Sequence, residues 1–268
     1  MIETERPKTE TPTSDIERYT LRGRPRRIVR GILYALFWVL IGFRIKHVDR
    51  APATGPVIVV SNHLHNADPI LTEIAFPRAV HYMAKKEVFR VPVVRLIVRW
   101  VGAFPVDRGK ADRSAIRRAS AALQHGIPVG LFPEGTRSPT RALQQAHGGA
   151  GLLALTSGAP VLPLIITGTE KLPFNGKRGR IQAQLPMPNS GHRGVRILFG
   201  EPFLIPRQID GRKVTSDEAT EIMMIEIARM LPPDYRGVYA DLVARETVRR
   251  AIPWTGPQAA SQQAPSSF

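Results

Sequence analysis

The sequence contains no cysteine, which excludes disulfides, Cys-ligated zinc, iron–sulfur clusters and a thiol nucleophile. Any covalent intermediate would have to rest on Ser, Thr, Lys, Asp, Glu, Tyr or His. Aromatic residues make up only 7%. They gather in apolar segments and do not alternate with Lys and Arg, so the stacking platform of a nucleic-acid binder is missing. Negative charge is scarce: 22 Asp and Glu stand against 38 Lys and Arg, a formal charge of +16. Such a field attracts nucleic acid, anionic lipid or phosphorylated small molecules. The N-terminal apolar run, residues 31–43 (GILYALFWVLIGF), has 13 residues. At roughly 20 Å it is short of the ~30 Å hydrocarbon layer and too short to span it. With 43% hydrophobic and 22% charged residues in 268, the chain can nevertheless bury a core, as one domain or at most two small ones.

Residues 1–20 are polar and of mixed charge and do not read as a signal peptide; a mobile tail is expected. Residues 21–50 form a basic and apolar segment: Arg22, Arg24, Arg26, Arg27 and Arg30 feed the apolar run, with Tyr34, Phe37 and Trp38 inside it. This composition suits a helix lying at a membrane interface, its cations on lipid phosphates. The alternative is a helix packed on the domain with solvated arginines. Apolar residues all round favour the membrane reading, and residues 91–106, with Arg95 and Arg99 four apart, repeat the theme.

From residue 57 the chain alternates short β-rich runs (57–61, 80–84, 103–106, 127–132, 161–167, 181–185 and 195–199) with helical stretches at 112–124 and 149–156, each followed by a glycine. Thr215 and Glu218 have capping-box spacing ahead of an amphipathic helix. The expected fold is α/β over residues 51–250, a central mixed, largely parallel sheet flanked by helices, with the N-terminal apolar segment at the membrane interface. Residues 251–268, rich in Gln, Ala, Ser and Pro, are expected to be a disordered tail.

Three stretches can carry chemistry. In the first, a β-run breaks into Ser61-Asn62-His63-Leu64-His65-Asn66-Ala67-Asp68. A turn between His63 and Asp68 can bring an imidazole nitrogen to the carboxylate, which would fix the tautomer and leave the other nitrogen free to take a proton. Two other readings exist: Asn62 and Asp68 merely capping helices, or His63, His65 and Asp68 binding a metal. The second ranks low because the remaining histidines are scattered. The second stretch, Phe132-Pro133-Glu134-Gly135-Thr136-Arg137-Ser138, ends a β-run with a glycine turn that can offer an arginine fork and hydroxyls to an anion. The third, Gly102 to Arg108, places an Asp–Arg pair at a strand end and on its own reads as a surface ion pair.

In this order and spacing, and followed by Ala159-Pro160-Val161-Leu162-Pro163-Leu164, these stretches resemble the four blocks of the glycerolipid acyltransferases, the lysophosphatidate (1-acyl-sn-glycerol-3-phosphate) acyltransferases. The Asn-His-x-x-x-x-Asp block is Asn62, His63 and Asp68, and the Phe-Pro-Glu-Gly-Thr-Arg-Ser block is complete. The resemblance implies that His63 is the general base and Asp68 its partner. It puts Arg108 and Arg137 on the acceptor's phosphate, with Glu134, Gly135 and Thr136 shaping that site. Lys86 sits where bacterial members carry a basic residue, with Lys85 competing for the role. The implied reaction moves an acyl group from acyl-CoA or acyl-carrier protein to the free hydroxyl of 1-acyl-glycerol-3-phosphate, giving phosphatidate, with no metal and no cofactor. The implied place is the cytoplasmic face of the cell membrane, peripheral or monotopic, on an anionic surface and without nucleic acid. Pro105 and the segment 139–147 depart from the family pattern and bear on the head group. An acyltransferase for another lysolipid and a non-catalytic basic membrane-binding protein are the rival readings.

Overall fold

A computed structural model describes residues 23–85, 104–106, 113–173, 175, 194–245 and 251–256. The expected tail at 1–20, the basic-apolar stretch at 91–103, the strand at 181–185, and Lys86 and Arg108 lie outside them.

The main sheet is built from β1 (Arg44–Lys46), β2 (Ile58–Ser61), β3 (His81–Lys85), β4 (Phe104–Val106), β5 (Val129–Leu131), β6 (Val161–Thr167) and β7 (Arg196–Phe199), in the order β1-β7-β6-β2-β5-β3-β4. Strands β6, β2, β5, β3 and β4 are mutually parallel, whereas β7 runs antiparallel to β6. The expected mixed, largely parallel sheet is therefore present. Side chains alternate across it because successive Cβ atoms leave opposite faces of a strand. Ile58, Val60, Val161 and Ile165 join one core, and Val57, Val59, Leu162, Leu164 and Ile166 join the other. Burial on both faces explains why β2 and β6 read as unbroken apolar runs.

The first core is covered by α3 (Arg113–Gln124), α4 (Gly149–Ser157) and α5 (Ser216–Met230). Helix α3 turns Ala115, Ala119, Ala122 and Leu123 inward and stops at Gly126, whose φ of +71° suits glycine. Thr215 and Glu218 form the expected capping box at the start of α5. The sequence reads α5 as amphipathic, but Ala219 to Ala228 are buried except Glu221, because the helix packs on the sheet and on α4 at once. Helix α2 (Asp68–Ala75) lies on the other face with α1 (Gly23–Ile41).

Three departures concern the chain ends. Strand β1 pairs with β7 in parallel and Phe43 is fully buried, so the sheet begins inside the segment read as membrane-associating. After β8 (Phe203–Leu204), the two-stranded β9 (Gln208–Ile209) and β10 (Arg212–Lys213), and α6 (Ala240–Arg245), the strand β11 (Ile252–Pro253) pairs with β8 inside the expected C-terminal tail. Such short edge strands are recruited by main-chain bonds and leave no hydropathy period. The third concerns the arginines of α1. Arg26 is buried, with Nε and Nη2 on Glu73 Oε1 at 3.0 and 2.6 Å and further bonds to the carbonyls of Pro77 and Arg78, while Arg30 donates to the Phe76 carbonyl at 2.7 Å. These two cations cap the C-terminal end of α2 and do not reach outward to lipid. Leu33, Tyr34, Phe37 and Ile41 pack on the second core, and Ile28, Ile32, Leu36, Val39 and Leu40 face out. Among the described residues no helix is long and apolar enough to cross a membrane.

Candidate active site

Parallel pairing sets Val60 beside Leu131, so β2 and β5 deliver their C-terminal ends side by side. The loops that follow carry the first and third motif stretches, at the edge where open α/β sheets place their sites. Asn62 holds the first loop to the sheet: its amide donates to the Ile166 carbonyl and accepts from the Ile166 N–H, both at 2.8 Å. It extends the ladder with a side chain and is not a helix cap.

His63 Nδ1 lies 2.9 Å from Asp68 Oδ2. A carboxylate accepts only, so Nδ1 carries the proton and Nε2 is left with its lone pair. Among the described residues Nε2 has no hydrogen-bond partner, and the ring is partly open to solvent. Asp68 is fully buried at the first position of α2, and the same Oδ2 accepts the N–H groups of Leu64 and His65, both at 2.6 Å. Three donors on one oxygen hold the carboxylate against the loop that presents the histidine. His63 stacks on Phe132 with ring centroids 4.2 Å apart, and Tyr82 stacks behind Phe132 at 5.6 Å.

The loop after β5 grips His63 by its main chain. Glu134 Oε1 accepts the His63 N–H at 3.0 Å, Glu134 Oε2 accepts the Gln144 N–H at 2.9 Å, and the Ser138 N–H donates to the His63 carbonyl at 2.8 Å. Burial pushes the Glu134 carboxyl up to about 7, against the pull of the two amides, with the Asp68 charge adding to the rise. Both oxygens of Glu134 are thus committed to the backbone, which makes it a brace for His63 and not a group facing an anion. Gly135 makes the turn at φ +66°, with the His147 ring 3.1 Å from where a β-carbon would stand; Thr136 is exposed beside it.

Arg137 is half-buried. Its Nη1 donates to both the side-chain oxygen (2.7 Å) and the main-chain oxygen of Asn175. Asn175 is buried, and its amide donates to the Leu64 carbonyl at 2.8 Å. It lies beyond all four motif stretches, and a lone Asn after a Pro-Phe pair gave no signal to find it. His65 is occupied at both ring nitrogens, Nδ1 accepting the Ala67 N–H and Nε2 donating to the Pro173 carbonyl, each at 3.0 Å. With both ring nitrogens of His65 and Nδ1 of His63 so engaged, a metal held by His63, His65 and Asp68 does not fit this geometry.

A histidine hydrogen-bonded to a buried carboxylate, braced at the mouth of a largely parallel sheet, has the geometry to exchange a proton. The acyltransferase family model matches residues 42–167. The chain is 27% identical over 162 residues to the chloroplastic 1-acyl-sn-glycerol-3-phosphate acyltransferase of Brassica napus, covering 59% of this chain and 44% of that protein. It is 28% identical over 163 residues to the 1-acyl-sn-glycerol-3-phosphate acyltransferase of Bacillus subtilis (60% of this chain, 74% of that one). The alignments thus span less than half of the chloroplastic relatives, 44% in Brassica napus and 43% in Arabidopsis thaliana. The crystal structure of the 1-acyl-sn-glycerophosphate acyltransferase of Thermotoga maritima has the same fold, with a TM-score of 0.56 at 23% identity over 81% of this chain and 87% of that one.

Proposed function

We propose that the protein is a 1-acylglycerol-3-phosphate O-acyltransferase, moving a fatty acyl group from acyl-CoA or acyl-carrier protein to the free hydroxyl of the acceptor to form phosphatidate. The observation that carries this reading is the 2.9 Å contact between His63 Nδ1 and a buried Asp68 oxygen that accepts three hydrogen bonds, which leaves Nε2 as the site's proton acceptor. Nε2 takes the hydroxyl proton as that oxygen attacks the thioester carbonyl. Asp68 stabilises the imidazolium that forms. The tetrahedral intermediate collapses with cleavage of the C–S bond, and the imidazolium returns its proton to the departing thiolate. The thioester is already activated, so the step calls for no cofactor and no acyl-enzyme.

Arg137 serves the acceptor's phosphate, helped by Arg108 and Lys86, and fixes the hydroxyl near His63. The outward apolar face of α1 and the net charge of +16 support peripheral attachment to an anionic membrane, on its cytoplasmic face. The test is product analysis by mass spectrometry with acyl-CoA, acyl-carrier protein thioester and a panel of lysolipids. Phosphatidate is expected from wild type, and His63→Ala and Asp68→Asn are expected to lose about 10²- to 10⁴-fold in turnover. A folded His63→Ala protein with wild-type turnover would sink the assignment.

A further inference from the structure

We propose that Asn175 is a positioning residue that presents Arg137 to the acceptor's phosphate as an uncompensated cation, an inference resting on the function proposed above. The geometry has three parts. First, Asn175 engages Nη1 of Arg137 with two oxygens of its own, side chain and main chain. Among the described residues no partner is recorded for Nε or Nη2, so the Nε–Nη2 edge is left for a bidentate contact with an oxyanion.

Second, the acceptor atoms that hold the guanidinium belong to an amide. An arginine withdrawn from solvent is ordinarily steadied by a carboxylate, as the buried Arg26 is by Glu73 in this same chain. At Arg137 the steadying group is neutral, so the full positive charge remains available to a phosphate dianion. No ion pair to Arg137 occurs among the described residues.

Third, the other end of the same amide donates to the Leu64 carbonyl at 2.8 Å, and the Leu64 N–H sits on Asp68 Oδ2 at 2.6 Å. One side chain therefore links the cation to the loop of the His63–Asp68 pair. It sets the separation between the phosphate subsite and the base, which is what places the acceptor hydroxyl. Asn175 is buried, so this linkage is held by packing as well as by its hydrogen bonds.

The experiment compares wild type, Asn175→Asp and Asn175→Ala in two measurements. The first is calorimetric binding of glycerol 3-phosphate. The second is steady-state transfer to lysophosphatidate and to a monoacylglycerol, which lacks the phosphate. Asn175→Asp keeps both oxygens toward Arg137 but neutralises it, and it replaces the amide that donates to the Leu64 carbonyl with an acceptor, so it loses the tether as well. We expect its binding of glycerol 3-phosphate and its KM for lysophosphatidate to worsen on the order of ten- to a hundredfold, the range of a hydrogen bond to a charged group. Its kcat/KM for the monoacylglycerol should move much less. Asn175→Ala, which keeps the charge but loses the tether, should lie between Asn175→Asp and wild type. Wild-type binding by Asn175→Asp, absence of binding by wild type, or equal losses with both acceptors would each overturn the proposal. If wild type binds glycerol 3-phosphate and Asn175→Asp does not, yet wild type transfers no acyl group, the positioning role stands and the proposed reaction falls.

Discussion

Glu134 Oε1 accepts the main-chain N–H of His63 at 3.0 Å while its Oε2 accepts that of Gln144 at 2.9 Å, so one buried carboxylate serves two amide donors and, among the described residues, no cation. In Glu134→Gln one of those amides would face an NH2 group, and an unsatisfied buried donor costs about 1–3 kcal/mol. We expect a lower urea midpoint and lower kcat with little change in KM, because the substitution shifts His63 and leaves Arg137 in place. A raised KM at unchanged kcat would move Glu134 to the acceptor side.

The same carboxyl gives a pH signature. Burial raises it from 4.5 to about 7, so the folded protein holds its proton more tightly than the unfolded chain does. Its contribution is therefore largest at low pH and is lost as pH rises from about 4.5 to about 7, a change of roughly 3 kcal/mol at most. Glu134→Gln has no such proton, so the unfolding free energy of wild type should fall relative to that of Glu134→Gln over that interval. Activity should respond the opposite way, since protonation turns one acceptor oxygen into a donor facing an amide. Denaturant titrations at pH 5 and pH 8 check this; a constant difference between the two proteins would mean that Glu134 does not titrate there.

Most of the sheet and the His63–Asp68 pair were legible in the sequence because each had a local cause. Apolar runs such as Val161–Thr167 mark buried strands, and the five-residue spacing of His63 and Asp68 fits a turn entering a helix. What stayed hidden depends on distant partners. Arg26 reads as one more member of a basic cluster until Glu73, 47 residues away, is seen to hold it. Asn175 reaches Leu64 across 111 residues, and Glu134 looks like an anion-site residue until its amide partners are known. Strands β1 and β11, three and two residues long, are too short for any period to show.

Arg26 and Glu73 form a nearly enclosed ion pair between α1 and α2, with the two side chains 10% and 5% exposed. Removing one partner strands the other charge, which costs about 3–5 kcal/mol in buried pairs. Arg26→Ala should be destabilised by that order, with part of the loss coming from the carbonyls of Pro77 and Arg78. The double variant Arg26→Met/Glu73→Leu should be more stable than either single change. A double-mutant cycle by urea denaturation measures the coupling; additive losses would show that the pair does not hold the two helices together.

The outward face of α1 makes the last prediction. Ile28, Ile32, Leu36 and Val39 recur at helical spacing and are 62%, 63%, 46% and 56% exposed, forming an apolar stripe opposite the side that packs on the core. A stripe of this kind on a basic chain binds a bilayer through buried apolar area together with attraction to anionic lipid. Each inserted side chain is worth about 1.5–3 kcal/mol when fully buried, so introducing two charges into the stripe removes more than one such contribution. Ile32→Glu/Leu36→Glu should keep the circular dichroism spectrum and urea midpoint of wild type, since both positions are exposed, yet lose sedimentation with phosphatidylglycerol-containing vesicles. High salt should weaken wild-type binding only in part, because the apolar term is not screened. Undiminished sedimentation of the double variant would assign membrane attachment to a part of the chain other than α1.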